Sequence, residues 1–236
     1  MKGFGNNFRE NKKTTEKKTK NIQKDRLITN ALSLHSNGKI KEASEIYNFL
    51  IQNKLYDPRV LNNLGSIYSQ IKQFDKAILL FNESIKKFPN SLEAYSNLAD
   101  ILVIKGRGDT AKNILKKAIE LNPNHSEPYS NLAGIYVGDG NFKEAEILLR
   151  KSLDINPNDI NTLVNLACVI KDLGNPKEAE KFLRNALEIN SIYEPALTNL
   201  GSVLNELEKV NEGERYLRKA LNINPASPMA LNNLGN

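Results

Sequence analysis

The residues best suited to specific chemistry in this sequence are asparagines that recur every 34 residues. They are Asn63, Asn97, Asn131, Asn165, Asn199 and Asn233. A primary amide has two hydrogen-bond donors and one acceptor oxygen. This set complements the N–H and C=O groups of an extended peptide backbone, whatever side chains that peptide carries. The row of six asparagines, called the asparagine row below, therefore predicts a site that binds peptide main chain.

Other reactive side chains do not form a pattern that predicts catalysis. His35 and His125 lie far apart and neither has a partner at metal-ligand spacing. Cys168 is the single cysteine and has no candidate base beside it in sequence. The sequence also has no glycine-rich phosphate loop and no paired carboxylates. We therefore predict no catalytic residue, no metal site, no cofactor and no enzymatic activity.

Charge and hydropathy limit the classes of partner. The net charge is +6, and residues 1–24, with eight basic and two acidic side chains, carry all of it. A neutral body with a basic tail is not typical of a nucleic-acid-binding domain, and the composition of residues 1–23 predicts a disordered tail. No apolar run is long enough to span a membrane. A single cysteine, which cannot form an internal disulfide, favours the cytoplasm.

The asparagines belong to a larger repeated pattern, seen when the segments that begin at residues 58, 92, 126, 160 and 194 are aligned. Repeat positions 4, 7, 8 and 11 are small or apolar in each segment, as in Tyr95, Leu98, Ala99 and Leu102. This spacing places the four side chains on one face of a helix. The small residue at position 8 lets a neighbouring backbone approach closely. The first half of each repeat is therefore predicted to be an amphipathic helix.

The second half of each repeat predicts another helix. Small, apolar and small residues recur at positions 20, 24 and 27, for example Ala111, Leu115 and Ala118. Glycines such as Gly106 separate the two halves, and motifs such as "NPN" end the repeat. Pro58 follows Asp57, which predicts an N-cap and a proline at the first helical position.

This pattern resembles that of tetratricopeptide-repeat (TPR) proteins. The resemblance covers residues 24–236, with full repeats from 24, 58, 92, 126, 160 and 194 and a partial repeat from 228. It implies an all-α fold, a right-handed α-solenoid of paired antiparallel helices. Gly213, where the family has alanine, is expected to weaken its repeat.

In such proteins positions 2, 6, 9 and 13 of the first helix line an inner groove, and position 6 holds the asparagine row. The row is similar to the asparagine ladder in the repeat arms of O-linked N-acetylglucosamine transferases, which hold peptides by their backbones. The carboxylate clamp of chaperone-binding relatives needs Lys at position 2 and Arg at position 6, and no repeat here has both. The alternative, that the asparagines were inherited by duplication or are structural, is weakened by divergence at position 9. That position holds Ser66, Asp100, Gly134, Cys168 and Ser202.

The sequence thus predicts a non-catalytic scaffold that binds extended protein or peptide segments in an asparagine-lined groove. The alternative is a substrate-docking arm of a larger glycosyltransferase-type enzyme whose catalytic domain lies outside these residues. A third hypothesis, nucleic-acid binding through the tail, predicts an affinity that falls steeply with salt.

The last nine residues, 228–236, begin a repeat with its packing residues in place. Without a following helix, Leu217, Leu221, Leu231 and Leu234 are expected to stay partly exposed. We therefore expect that the native chain continues or that it self-associates through this end.

Overall fold

The computed structural model describes residues 21–235, and the prediction for the tail up to residue 20 lies outside this range. The described residues form thirteen α-helices and no strand. The helices are α1 (21–36 in the described part), α2 (Ile40–Gln52), α3 (Pro58–Gln70), α4 (Phe74–Lys87), α5 (Leu92–Ile104), α6 (Gly108–Leu121), α7 (Glu127–Gly138), α8 (Phe142–Ile155), α9 (Ile160–Asp172), α10 (Pro176–Ile189), α11 (Glu194–Glu206), α12 (Val210–Ile223) and α13 (Pro228–Gly235). The predicted all-α fold of tandem helix pairs is confirmed.

The chain divides into two compact units, one up to Gly106 and one from Arg107 onward. In the first unit, α3 packs against α2, α4 and α5. Its core is built from the periodic residues, with Ala43, Tyr47, Leu50 and Leu64 at most 1% exposed. Asp57 caps α3 by accepting a hydrogen bond from the Arg59 N–H, with Pro58 in the first turn, as the sequence predicts.

The second unit repeats one helical hairpin several times. α7 pairs with α8, α9 with α10 and α11 with α12, and each hairpin packs against the next. One continuous core runs through these hairpins and includes Ala133, Leu166, Leu183 and Leu200, none more than 3% exposed. Within the described residues no helix is long and apolar enough to cross a membrane.

The turn between the two helices of each repeat has a left-handed residue at repeat position 15. Four of these residues are glycines, Gly38, Gly106, Gly140 and Gly174, with φ between 71° and 86°. Lys72 and Glu208 occupy the same position with φ of 59° and 60°. The glycine breakers are predictable from sequence, whereas the two strained non-glycine turns are not.

Two close helix contacts depend on glycine. A Cβ at Gly201 would lie 2.5 Å from Leu217 Cγ, and one at Gly213 would lie 2.9 Å from the Gly201 carbonyl oxygen. Gly213 therefore matches Gly201 across the α11–α12 contact, and an alanine would not fit there. In the first unit a Cβ at Gly65 would lie 2.7 Å from the Phe81 ring.

The C-terminal residues correct one expectation. Leu217 is fully buried, because it packs with Leu197, Ala220 and Ala230 beneath α13. Leu231 is 52% exposed, as expected, and Leu221 and Leu234 are partly buried.

Candidate functional site

The asparagine row lies on α3, α5, α7, α9, α11 and α13, and all of its members except Asn233 come directly before two buried residues. In α5, Asn97 precedes Leu98 and Ala99, which are both 1% exposed. The packing of these neighbours directs the asparagine away from the core. Asn165 is exposed and the other five asparagines are partly buried. The two units each carry part of the row, with Asn63 and Asn97 in the first and the other four in the second.

Two of the six amides are used inside their own helix. Asn63 Nδ2 donates to the Arg59 carbonyl oxygen at 2.7 Å, and Asn199 Nδ2 donates to the Pro195 carbonyl oxygen at 2.8 Å. Both partners lie four residues earlier, where the helix carbonyl already accepts from the backbone. In these two side chains one N–H is occupied, and the second N–H and the amide oxygen remain available only in the orientation that this bond fixes.

Four amides in the row have no such bond. The side chains of Asn97, Asn131, Asn165 and Asn233 make no hydrogen bond to any residue within 21–235, although the backbone oxygen of Asn233 accepts one from Asn205 Nδ2. Their donors and acceptor are therefore free for a ligand or for water. The sequence predicts the positions of the row but not this difference between its members.

A small pocket in the second unit opens beside Asn165. Its volume is about 160 Å³, and it lies between α7, α8 and α9. We call it the Gly134 pocket, and its lining residues are Gly134, Val137, Leu149, Asn165, Cys168, Val169 and Asp172. Positions 6, 9 and 13 of α9 thus open on a common cavity with position 9 of α7.

Cys168 lies in this pocket as a partly buried free thiol. Burial raises the pKa of the Cys168 thiol above its ordinary value, while nearby Lys171 acts in the opposite direction. A raised pKa keeps the thiol protonated at neutral pH and is the reverse of what a nucleophilic cysteine needs.

The same face of the second unit is acidic. Positions 2, 9 and 13 of α7, α9 and α11 carry Glu127, Asp172 and Glu206 and no lysine or arginine. Asp172 Oδ1 lies 3.6 Å from the Nζ of its neighbour Lys171, in a pair whose side chains are 30% and 43% exposed. A pair this accessible to water is weak, so Asp172 can still attract a cation from a ligand.

The second helices of this unit carry a row of ion pairs between hairpins. Arg150 bonds Glu178 at 2.6 Å and Arg184 bonds Glu212 at 2.7 Å. Each guanidinium also lies over the ring of the following hairpin, Phe182 or Tyr216, at 5.7 and 5.9 Å respectively. The pKa of Arg184 is raised, first by its hydrogen bond with Glu212.

At the corresponding junction between α6 and α8, Lys116 and Leu148 replace the arginine and the ring of the next two junctions. This junction holds an apolar cleft of about 420 Å³. We call it the second-helix cleft, and its lining includes Lys116, Tyr129, Leu132, Tyr136, Glu144 and Ile147. Ile147 is 69% exposed, whereas the equivalent residues of the next two repeats are Lys181 and Arg215. That substitution, together with Leu148 and Lys116 in place of a ring and an arginine, is the sequence signal for the cleft, which the repeat pattern alone does not predict.

The histidines take ordinary positions. The ring of His35 meets that of Tyr47 edge-on at 6.3 Å, and His125 lies in the turn before α7. Among residues 21–235, no group of three or more His, Cys, Asp and Glu side chains could hold a metal ion.

Comparisons with known proteins agree with this architecture. Tetratricopeptide-repeat family models match residues 102–166 and, with a second model, residues 160–193 and 194–227. A model described as the N-terminal TPR repeats region of Psidin matches residues 7–105. Among curated proteins, none matches the sequence.

Solved structures show the same fold at low sequence identity. One described as PilF of Pseudomonas aeruginosa is 14% identical, with a TM-score of 0.77 and coverage of 90% of this chain and 96% of that one. YrrB, described as a TPR protein with an unusual peptide-binding site, is 20% identical, with a TM-score of 0.59 and coverage of 80% and 97%. MamA is 21% identical, with a TM-score of 0.58 and coverage of 67% and 93%.

Proposed function

The chain is a tetratricopeptide-repeat protein, and from this premise we propose that it is a non-catalytic scaffold that binds extended peptide segments through the asparagine row. Repeats of this kind are typical of protein-interaction scaffolds. The observation that carries the finer proposal is the free state of the Asn97, Asn131 and Asn165 amides on the exposed side of their helices.

Repeat geometry supports main-chain binding. Packed helices lie about 8–10 Å apart, and an extended peptide rises about 3.3 Å per residue. Within each unit, amides on successive first helices therefore meet roughly every third residue of a ligand, and each can donate to a carbonyl and accept from an N–H. Binding of this type depends little on the ligand's side chains, except where the face provides a pocket or a charge.

The six asparagines are not equivalent in this proposal. Asn63 and Asn199 each keep one N–H and the amide oxygen for a ligand, but reorienting either amide breaks its bond to the carbonyl four residues earlier, which costs about 1 kcal/mol. Asn97, Asn131, Asn165 and Asn233 carry no such bond, and the first three of them lie in consecutive repeats. We therefore assign most of the hydrogen-bonding energy to Asn97, Asn131 and Asn165.

A matched pair of variants tests the assignment. Binding would be measured by selecting from a display library of random short peptides, followed by titration of the selected peptides. Replacing Asn97, Asn131 and Asn165 with Ala should weaken binding about tenfold or more, because each lost hydrogen bond contributes about 0.5–1.5 kcal/mol. The control, with Asn63 and Asn199 replaced by Ala, should weaken binding less.

Circular dichroism should show unchanged or slightly higher helicity in both variants, because alanine is the better helix former. A second control, Ile147→Ser, tests whether the peptides occupy the second-helix cleft instead. The proposal fails if the triple variant binds as well as the wild type, or if only Ile147→Ser loses binding.

The same face would serve a substrate-docking arm of a larger enzyme, and these experiments apply equally to that alternative. We propose the cytoplasm as the location because the free Cys168 fits a reducing compartment.

A further inference from the structure

We propose that the Gly134 pocket is a specificity site that accepts one aliphatic side chain of valine or leucine size, in a peptide with a lysine or arginine two residues away. This inference rests on the proposed function, because the pocket opens directly beside Asn165 of the asparagine row. It adds a side-chain preference to a main-chain site.

The walls of the pocket match an aliphatic group. Leu149 and Val169 belong to the core and are 1% and 2% exposed, while Val137, at 37% exposed, forms part of the wall. The volume of about 160 Å³ is close to that of cavities of about 150 Å³ that admit a benzene ring. A single branched side chain fits this space.

Glycine at position 134 keeps the pocket open. A Cβ built at Gly134 would meet no atom within 4 Å, so helix packing does not require glycine there. Glycine inside a helix is also destabilising by about 0.5–1 kcal/mol relative to alanine. The equivalent positions of other repeats carry Ser66, Asp100, Cys168 and Ser202. The free space at Gly134 is therefore available to a ligand side chain.

The negative charge beside the pocket selects the peptide residue that flanks the aliphatic one. Asp172 is part of the lining, and the same face carries Glu127 and Glu206 but no lysine or arginine at the equivalent positions. In an extended peptide, residues two apart point the same way and lie about 6.6 Å apart. A cationic side chain two residues from the aliphatic one can thus reach the Asp172 carboxylate.

Peptide selection with three proteins tests the proposal. The wild-type chain should enrich peptides with Val or Leu two residues from Lys or Arg. Gly134→Leu fills the pocket with a residue that favours the helix, and it should lose the aliphatic preference while still binding peptides. Asp172→Lys should change the flanking preference from basic to acidic. For a selected peptide, replacing the aliphatic residue with Gly should weaken wild-type binding about tenfold but affect Gly134→Leu much less.

Cys168 gives a second measurement that does not depend on a substitution, because it is the single cysteine and lines the pocket. The selected peptide should slow the reaction of Cys168 with iodoacetamide, and its Gly-substituted version should not. Peptides selected without an aliphatic or basic preference, unaffected by either variant, would overturn this inference and leave the proposed function standing. Failure of the wild-type chain to select any peptide would overturn both.

Discussion

The reactivity of the Cys168 thiol depends on its local environment on the proposed binding face. Burial raises the pKa of its thiol, so the native chain should hold less thiolate at neutral pH than the unfolded chain does. We predict that native Cys168 reacts with iodoacetamide more slowly than the guanidinium-unfolded chain near pH 7. The native rate should also rise with pH through a higher midpoint than the unfolded rate.

Mass spectrometry of the alkylated chain at several pH values measures both rates without interference from other thiols, since the sequence has one cysteine. The position of the midpoint separates a pKa effect from simple steric protection, which lowers the rate equally at all pH values. Coincident midpoints in the native and unfolded chains would contradict the prediction.

Two adjacent asparagines show what residue type alone can predict. Asn63 belongs to the asparagine row, whereas Asn62 is 1% exposed and its Nδ2 donates to Ser91 Oγ at 3.0 Å and Glu93 Oε2 at 3.1 Å. The 34-residue period separates the two, because the position of Asn63 holds asparagine in every following repeat, whereas that of Asn62 does so only at Asn232. The period does not predict that the Asn63 side chain donates a hydrogen bond to a carbonyl of its own helix while that of Asn97 does not. Every helix has a carbonyl four residues back, so this choice depends on a small free-energy difference between that carbonyl and water.

At the scale of the helical hairpin, the turn residues carry measurable strain. Lys72 and Glu208 adopt φ near 60°, a conformation that disfavours residues with a Cβ by about 1–2 kcal/mol. We predict that Lys72→Gly and Glu208→Gly each stabilise the chain by about 0.5–1 kcal/mol, after the larger entropy of unfolded glycine is subtracted. Guanidinium unfolding followed by circular dichroism measures the change.

Two variants control for other effects of the substitution at residue 72. Lys72→Ala removes the same charge and side chain but keeps a Cβ in the left-handed turn, so it should not stabilise. Ser69→Gly, inside α3, should destabilise by about 0.5–1 kcal/mol, because glycine has no advantage at a helical φ. Equal effects of Lys72→Gly and Lys72→Ala would show that the backbone is not strained.

Helix contacts also explain departures from the repeat pattern. Gly65 lies against Phe81, where the equivalent residues of the four following repeats are leucines, and Gly201 lies against Gly213. At Gly65 the absence of a Cβ leaves room for the Phe81 ring. At Gly201 and Gly213 it allows the two helix backbones to approach closely. The sequence shows each departure by itself, but which residues face each other across the hairpin is visible only once the helices are packed. For this reason the sequence alone predicts that Gly213 weakens its repeat, whereas the packed helices show that a Cβ there would clash with the Gly201 carbonyl oxygen.

At the scale of the whole chain, the period of the sequence predicts the helices and the binding face because one interface is rebuilt in each repeat. Features that break the period are harder to predict. The second-helix cleft arises where Leu148 and Lys116 stand in place of the ring and arginine that close the next two junctions. The Gly134 pocket likewise depends on one glycine that packing does not require. Such local differences give otherwise similar repeats different surfaces.

The last helix, α13, presents apolar side chains that we expect to mediate self-association. Leu231 is 52% exposed and Met229 is 59% exposed, whereas Leu197, the equivalent of Leu231 in α11, is 1% exposed. A second copy of the chain can cover Leu231 as the following helices cover Leu197. We therefore predict concentration-dependent dimerisation, seen by light scattering coupled to gel filtration.

Leu231→Glu should shift the equilibrium toward monomer, because association would bury its charge. The matched control Ile147→Glu alters a residue that is 69% exposed on α8 and should leave the mass unchanged. A monomer at high protein concentration, or an equal response to both variants, would rule out association through α13.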